Sequence, residues 1–224
     1  MLPIKACIFD LDGVLVDTAQ YHFLAWKRLA DMLGIEFTES DNERLKGVSR
    51  MASLDIILSL GKRELPEGEK LRLAELKNGW YREYLAALDE SALLPGVRDF
   101  LIGCKALGLS IAVGSASKSA REVLESTGIL GLFDAVVDGN APVPPKPAPD
   151  IFLVAAEKLG VRPQETVVFE DAAAGIEAAL AGGMAAVGVG SAQRLGRATL
   201  VISGFEGVDP AELMHHFTSK RSSG

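Results

Sequence analysis

The sequence predicts an α/β protein with a doubly wound parallel sheet and an inserted helical domain. An apolar run at residues 6–9 lacks polar alternation, as in a central strand that is buried on both faces. Strand-like and helix-like segments alternate from residue 109 onwards, which favours a parallel sheet with helices on both faces. From Val16 to about Ser91 the pattern is only helical. The predicted domains are a core of residues 1–16 and 92–224 and a cap of residues 17–91.

Three helices are predicted in the cap. The first begins after Thr18, a residue type that is common at helix N-caps, and ends near Gly34. Apolar residues at helical spacing predict a second helix that ends before Gly61. The same spacing predicts a longer third helix from Leu73 to Ala87. The cap is therefore expected to be entirely helical.

The core elements follow in order. Pro95-Gly96 begins a helix, because proline is favoured in the first helical turn. Residues 138–145 contain three prolines and a glycine, so they predict a stiff loop that presents Lys146. The remaining predicted strands are 109–113, 135–137, 166–169, 185–189 and 200–202, and the remaining helices are 118–127, 149–159, 173–181 and 210–217.

Composition disfavours several classes of function. The formal net charge is -7 and no basic stripe is visible, which disfavours a nucleic-acid partner. No apolar run reaches the length of a membrane span, and no cleavable signal precedes the first strand. Cys7 and Cys104 are expected to be buried apolar residues without a disulfide, which makes the cytoplasm the expected location.

Asp10 and Asp12 follow the first strand, and Gly13 permits a turn after them. Active sites in open α/β sheets lie at the carboxyl ends of the strands. A turn that is rich in Asp and Gly has the same composition, so this motif alone leaves both interpretations open.

Phosphoryl transfer needs a nucleophile, cations that stabilise the phosphoryl oxygens, and a proton donor for the leaving oxygen. Polar residues after the predicted strands offer a candidate for each role. Asp10 is the candidate nucleophile, and Asp12 is the candidate general acid and base. Ser115 precedes a helix, where free backbone N–H groups can bind phosphate, and Lys146 adds a positive charge. Each also has a plain alternative as part of a helix start. The candidate Mg²⁺ ligands are Asp10, the Asp12 carbonyl, Glu170 and Asp171.

The segment Phe9 to Thr18 resembles the first signature of the haloacid-dehalogenase-like superfamily, in which the first Asp is phosphorylated. The resemblance covers nearly the whole chain. Within the superfamily, the chain is most similar to the β-phosphoglucomutase subfamily. The motifs that carry it are His22-Phe23 with Trp26-Lys27, Lys46-Gly47-Val48-Ser49-Arg50, Lys77-Asn78, Ser115-Ala116-Ser117-Lys118, Lys146-Pro147-Ala148-Pro149-Asp150 and Glu170-Asp171.

The resemblance implies a Rossmann-like core with the first strand in the centre. It also implies that Arg50, Ser117 and Lys118 bind the non-transferring phosphate of a sugar bisphosphate. Thr18 and His22 would belong to a hinge that moves Asp12 as the cap closes. The alternatives are that Thr18 only caps the helix and that His22 faces solvent, and for Thr18 capping and the hinge role are compatible. We expect Trp26 to pack within the cap. The full substrate-binding set implied is Lys46, Gly47, Val48, Arg50, Lys77, Ala116, Ser117 and Lys118.

The implied function is a Mg²⁺-dependent phosphomutase that interconverts β-glucose 1-phosphate and glucose 6-phosphate through glucose 1,6-bisphosphate. The expected partner is a phosphosugar, and the expected state is a monomer. A sugar-phosphate phosphatase, a phosphonoacetaldehyde hydrolase-like enzyme and a silent phosphosugar sensor are the alternatives. The second of these groups lacks the second Asp of the first motif, which is Asp12 here. Ser119 and Ala172 depart from the subfamily pattern, where Asn and Ser are common, and this bears on the exact sugar.

Overall fold

The computed structural model describes residues 3–45 and 48–219. Within them, a six-stranded parallel sheet has the strand order β3-β2-β1-β4-β5-β6, so that β1 lies in the centre as the resemblance implies. The predicted strands are confirmed to within one residue at each end. Their bounds are β1 (Ala6–Phe9), β2 (Ser110–Gly114), β3 (Ala135–Val137), β4 (Thr166–Glu170), β5 (Ala185–Val189) and β6 (Leu200–Ile202).

Nine α-helices lie in the described residues, and eight of them were predicted. The unpredicted helix, α2, buries none of its residues and therefore has no apolar stripe in the sequence; Thr38 and Asp41 stabilise its start as a capping box. The helices are α1 (Ala19–Met32), α2 (Glu39–Glu43), α3 (Arg50–Leu60), α4 (Glu67–Leu85), α5 (Val97–Ala106), α6 (Ala120–Ser126), α7 (Asp150–Lys158), α8 (Ala173–Ala181) and α9 (Pro210–Ser219).

The start predicted for the third cap helix was wrong by almost two turns. α4 begins at Glu67, not at Leu73, and the first buried residue in it is Leu73 itself. The added turns follow Pro66 and carry Glu67 and Glu69, whose negative charges favour a helix N-terminus. In α4 the buried residues therefore show where the helix packs against its neighbours, whereas the acidic residues show where the helix begins.

The two faces of the sheet bury separate apolar clusters, which explains the unbroken apolar run of β1. Cys7 and Phe9 belong to one cluster and Ile8 to the other, because successive strand residues point to opposite faces. Phe9 stacks on Phe169 of β4 with ring centroids 4.7 Å apart. Cys7 and Cys104 are buried free thiols, as predicted.

The cap helices bury an apolar cluster of their own, built mainly from α1, α3 and α4. Trp26 belongs to it and is 3% exposed, so it packs within the cap as predicted, and one part of it also lines the cavity between cap and core. The two chain crossings between core and cap lie side by side, since Val16 forms an antiparallel bridge with Leu93. The predicted domain boundaries at residues 16/17 and 91/92 fall at this pair and stay a prediction.

None of the helices in residues 3–45 and 48–219 combines the length and the apolar character needed to cross a membrane.

Candidate active site

The predicted core residues meet at the carboxyl edge of the sheet. The backbone N–H of Asp10 donates to the carbonyl of Phe169 at 2.9 Å, so the pairing of β1 with β4 continues to the first aspartate. The N–H of Ser115 donates in the same way to Val137, at 3.0 Å. Glu170 is the last residue of β4. Parallel pairing thus brings side chains from distant parts of the chain to one edge.

Lys146 lies between two carboxylates. Its Nζ donates at 2.7 Å to Asp10 Oδ1 and at 2.7 Å to Glu170 Oε1, and all three side chains are buried. Burial alone lowers the pKa of Lys146, but Asp10 and Glu170 outweigh it and raise the pKa above its usual value. Lys146 is therefore a fixed ammonium group beside the candidate nucleophile, as the stiff loop predicts.

The carboxylates around Asp10 carry more negative charge than the single positive charge of Lys146 can offset. Burial raises the pKa of Asp10 well above its usual range; Lys146 opposes this, whereas Glu170 and Asp12 raise the pKa further. A carboxylate in this situation is stabilised by an additional cation. The electrostatics of Asp10 therefore fit a bound divalent metal ion.

The candidate metal ligands offer the hard oxygen donors that Mg²⁺ prefers. Asp171 lies close against Gly13, at φ 81°, where a Cβ atom would overlap its carboxylate. Both oxygens of Glu170 accept hydrogen bonds, from Lys146 Nζ and from the N–H of Ala172 at 2.8 Å. In residues 3–45 and 48–219, no three His, Cys, Asp or Glu side chains are already gathered around one point. The donor chemistry fits Mg²⁺, and the ligand set stays a prediction.

Asp12 is held at the junction between core and cap. The hydroxyl of Thr18 donates to Asp12 Oδ1, and His22 Nε2 lies 3.6 Å from Asp12 Oδ2. Burial alone raises the pKa of Asp12, but His22, Thr18 and Lys77 outweigh it and lower the pKa below its usual value. Asp12 is therefore an ionised proton acceptor in this arrangement.

The prediction that the first cap helix begins directly after Thr18 is confirmed. Thr18 occupies the N-cap position of α1, but its side chain makes no capping hydrogen bond. The hydroxyl group is directed to Asp12 instead. The contact fits the hinge role that the resemblance implies for Thr18.

Lys77, which is buried, and His22, which is half-buried, form a chain of contacts towards Asp12. Lys77 Nζ lies 3.0 Å from His22 Nδ1 and 4.6 Å from the ring centroids of both Trp26 and Tyr81. When Lys77 is protonated it can only donate, so Nδ1 then accepts and the hydrogen of a neutral imidazole lies on Nε2, which faces Asp12. The alternative of a solvent-facing His22 is wrong, since its ring stacks on Tyr81 at 4.0 Å.

Lys77 is 2% exposed, although lysines on helical insertions are usually solvated. Burial, and after it the charge of Arg50, lower the pKa of Lys77 to about 7. Burial and the charge of Lys77 also lower the pKa of His22. The cap side of the site therefore contains cations that lack sufficient counter-charge.

Core and cap enclose one cavity of about 820 Å³, including its open mouth. The predicted site residues Ser115, Thr18, Lys146 and Glu170 are not part of its lining, and Lys46 and Gly47 lie outside the described residues. The predicted site residues that line it are Asp10, Asp12, His22, Val48, Arg50, Lys77, Ala116, Ser117, Lys118 and Asp171.

The predicted phosphate cradle after β2 has fewer free N–H groups than the sequence suggests. Ser115 Oγ accepts from the N–H of Ser117 at 3.1 Å, and Ser117 Oγ accepts from the N–H of Ser119 at 3.3 Å. α6 begins at Ala120, later than the predicted start at Lys118. In this arrangement the hydroxyls stabilise the loop itself.

Several lining residues were not predicted as site residues. Ser53 lies one helical turn after Arg50, and Tyr81 lies one turn after Lys77, so spacing of three or four residues from a predicted residue would have found both. Asn42 lies on α2, which has no sequence signal. Burial raises the pKa of Tyr81 well above its usual value, so its hydroxyl stays neutral.

The fold and the site together define an α/β protein with a buried aspartate–lysine centre at the carboxyl edge of its sheet, under a helical cap. The profile of the haloacid dehalogenase-like hydrolase family matches residues 4–183. The chain belongs to this family.

Individual relatives include both mutases and phosphatases. A β-phosphoglucomutase of Bacillus subtilis is 44% identical over 200 residues, which is 88% of each chain. A phosphorylated carbohydrates phosphatase of Thermotoga maritima is 34% identical and covers 94% of this chain and 97% of its own. The crystal structure of a β-phosphoglucomutase from Clostridium difficile superposes with a TM-score of 0.94 at 40% identity, covering 98% of this chain and 99% of that one.

Proposed function

We propose that this protein is a phosphomutase that interconverts β-D-glucose 1-phosphate and D-glucose 6-phosphate through bound glucose 1,6-bisphosphate and an aspartyl-phosphate enzyme. One observation carries the proposal: a single cavity is lined by Asp10 and Asp12 and also by three cations, Arg50, Lys77 and Lys118. A substrate with one phosphate needs only the aspartate side of this cavity. The second set of cations matches a second phosphate. The similarity to two β-phosphoglucomutases supports the same function.

In the first half-reaction Asp10 attacks the phosphorus of the bisphosphate. Lys146 donates to Oδ1, which leaves Oδ2 as the oxygen that forms the new bond. The bond between phosphorus and the sugar oxygen breaks, and Asp12 gives that oxygen the proton that it took from the attacking sugar hydroxyl in the preceding transfer. Lys146 stabilises the negative charge around the transferred group.

The second half-reaction is the reverse, with the other sugar hydroxyl as acceptor. Asp12 removes the proton of the attacking hydroxyl, and the aspartyl phosphate returns its phosphoryl group to the sugar. Thr18 and His22 stabilise the ionised form of Asp12 that this step requires. The bisphosphate formed in this way must then turn round, so that its two phosphates exchange places between Asp10 and the cap side, before Asp10 can take the other phosphoryl group.

Mg²⁺ is the cofactor that the donor set supports. Asp10, the carbonyl of Asp12, Glu170 and Asp171 would hold it. When bound, it would offset the charge of the carboxylates and of the transferred phosphoryl group. Loss of turnover on chelation, with recovery on addition of Mg²⁺, is the expected result.

A sugar-phosphate phosphatase of the same fold is the second candidate, favoured by the similarity to the Thermotoga maritima phosphatase. Water would then replace the sugar hydroxyl as the acceptor. The proposal further includes a phosphosugar as partner and a monomer as the working state. Size-exclusion chromatography with light scattering tests the monomer.

A product assay separates the two functions. The protein is incubated with β-glucose 1-phosphate, Mg²⁺ and a trace of glucose 1,6-bisphosphate, and glucose 6-phosphate and free phosphate are measured together. We expect glucose 6-phosphate to form well in excess of free phosphate. Release of phosphate at the rate of substrate loss, with no glucose 6-phosphate, would instead establish the phosphatase.

A further inference from the structure

Glu75 contacts a cation of the cavity from outside the cavity. Arg50 Nη1 donates to Glu75 Oε1 at 2.8 Å. The side chain of Arg50 is 14% exposed, whereas that of Glu75 is 67% exposed. Glu75 lies on α4 and Arg50 is the first residue of α3, so the ion pair joins the two helices near the cavity mouth.

Arg50 occupies a position that disfavours a positive charge. The N-terminus of a helix carries a partial positive charge, and Arg50 is the first residue of α3. Its guanidinium also contributes to the lowered pKa values of Lys77 and His22, which places further cationic groups near it. An arginine side chain in such surroundings would otherwise turn towards solvent, and ordering it costs conformational entropy.

We propose that Glu75 is a positioning residue that holds the guanidinium of Arg50 at the cavity for the non-transferring phosphate. The proposal rests on the bisphosphate role of Arg50 in the proposed function. A guanidinium has five N–H donors in a planar fork. Glu75 engages Nη1, and within residues 3–45 and 48–219 neither Nε nor Nη2 has a hydrogen-bond partner, so both can serve a phosphate that binds two donors at once. Glu75 thereby orients Arg50 without occupying the donors that the phosphate needs.

If Glu75 instead hinders phosphate binding, its removal should change the affinity in the opposite direction. An exposed carboxylate near the second phosphate would repel it, or would compete with it for Arg50. Removal of Glu75 would then tighten binding. Under the positioning role, removal leaves Arg50 free to turn away and weakens binding.

The test measures the affinity for glucose 1,6-bisphosphate by calorimetry in the Asp10→Asn background, where no turnover occurs. We expect Glu75→Ala to weaken affinity about three- to fivefold, the range that follows from the energies of exposed ion pairs. Glu75→Gln keeps an acceptor oxygen and should stay within about twofold of the background. Glu83→Ala is the matched control, because Glu83 is 69% exposed on the same helix and pairs with Arg28, which does not line the cavity.

A double variant tests whether the effect of Glu75 depends on Arg50. In an Arg50→Ala background, Glu75→Ala should have no further effect on affinity. Thermal melting of each variant verifies that the fold is retained. Unchanged or tighter binding in Glu75→Ala, a loss in Glu75→Gln equal to that in Glu75→Ala, or an additive loss with Arg50→Ala would each overturn the proposal. If the Asp10→Asn protein binds no bisphosphate at all, the proposed function fails, and this is a different outcome.

Discussion

Replacement of the buried Lys77 by methionine should stabilise the free protein, most strongly at low pH. In the folded protein, burial and the charge of Arg50 lower the pKa of Lys77 from 10.5 to about 7. Between these two values the unfolded chain holds a proton that the folded protein lacks, so the free energy of unfolding rises with pH across this window. Below pH 7 both states are protonated, and the full cost of the buried charge is present.

The magnitude follows from this pKa change. A difference of about 3.5 corresponds to about 5 kcal/mol at 1.36 kcal/mol per pKa unit. Methionine has no proton to lose and fits the length of the lysine stem. The stabilisation by Lys77→Met should therefore be several kcal/mol greater at pH 6 than at pH 10.

Urea unfolding of wild type and Lys77→Met at pH 6, 8 and 10 measures this difference. Lys70→Met is the control: Lys70 lies on the same helix and pairs with Asp55, which raises the pKa of Lys70. The control should therefore show no gain in stability towards pH 6. If the stabilities of wild type and Lys77→Met run parallel from pH 6 to 10, Lys77 is charged throughout and the reasoning is refuted.

Three predictions concern the reaction itself. Asp10→Asn should abolish turnover with the fold retained, and activity within about tenfold of wild type, or about 1.4 kcal/mol of barrier, would rule out Asp10 as the nucleophile. Asp12→Asn should reduce mutase turnover at least about a hundredfold if Asp12 carries the proton, whereas a turn residue would tolerate Asn; steady-state kinetics distinguish the two. Arg50→Ala should slow formation of glucose 6-phosphate by about a hundredfold or more but affect hydrolysis of acetyl phosphate much less, because acetyl phosphate has no second phosphate; equal losses would favour the phosphatase.

The parts of the fold that the sequence predicts well are those with a strong pattern of burial. β5 and α8 have the predicted bounds because their residues are apolar runs with turn signals at both ends. α2 and the first turns of α4 were missed because they bury nothing and leave no periodicity. Short 3₁₀ turns such as Leu130–Leu132 were missed because three residues define no period.

The candidate site divides in the same way. Asp10 and Lys146 were identifiable because each belongs to a local motif at a strand end or a stiff loop. The use of both Glu170 oxygens, and the ion pair of Arg50 with Glu75, depend on contacts between segments that are far apart in the chain. Such contacts leave no local signal, and so residue types alone did not predict them.

The position of Asp12 explains why cap and core must act together in the proposed reaction. Asp12 pairs with Val16 in an isolated bridge, and Val16 pairs with Leu93 at the second crossing of the chain. The side chain of Asp12 accepts a hydrogen bond from Thr18, which precedes the first cap helix. A rotation of the cap about these crossings would therefore change the contacts of Asp12 and leave Asp10 on its strand. We infer that the proton carrier responds to cap closure whereas the nucleophile does not, so that a bound sugar bisphosphate, by holding the cap closed, would favour transfer to the sugar over transfer to water.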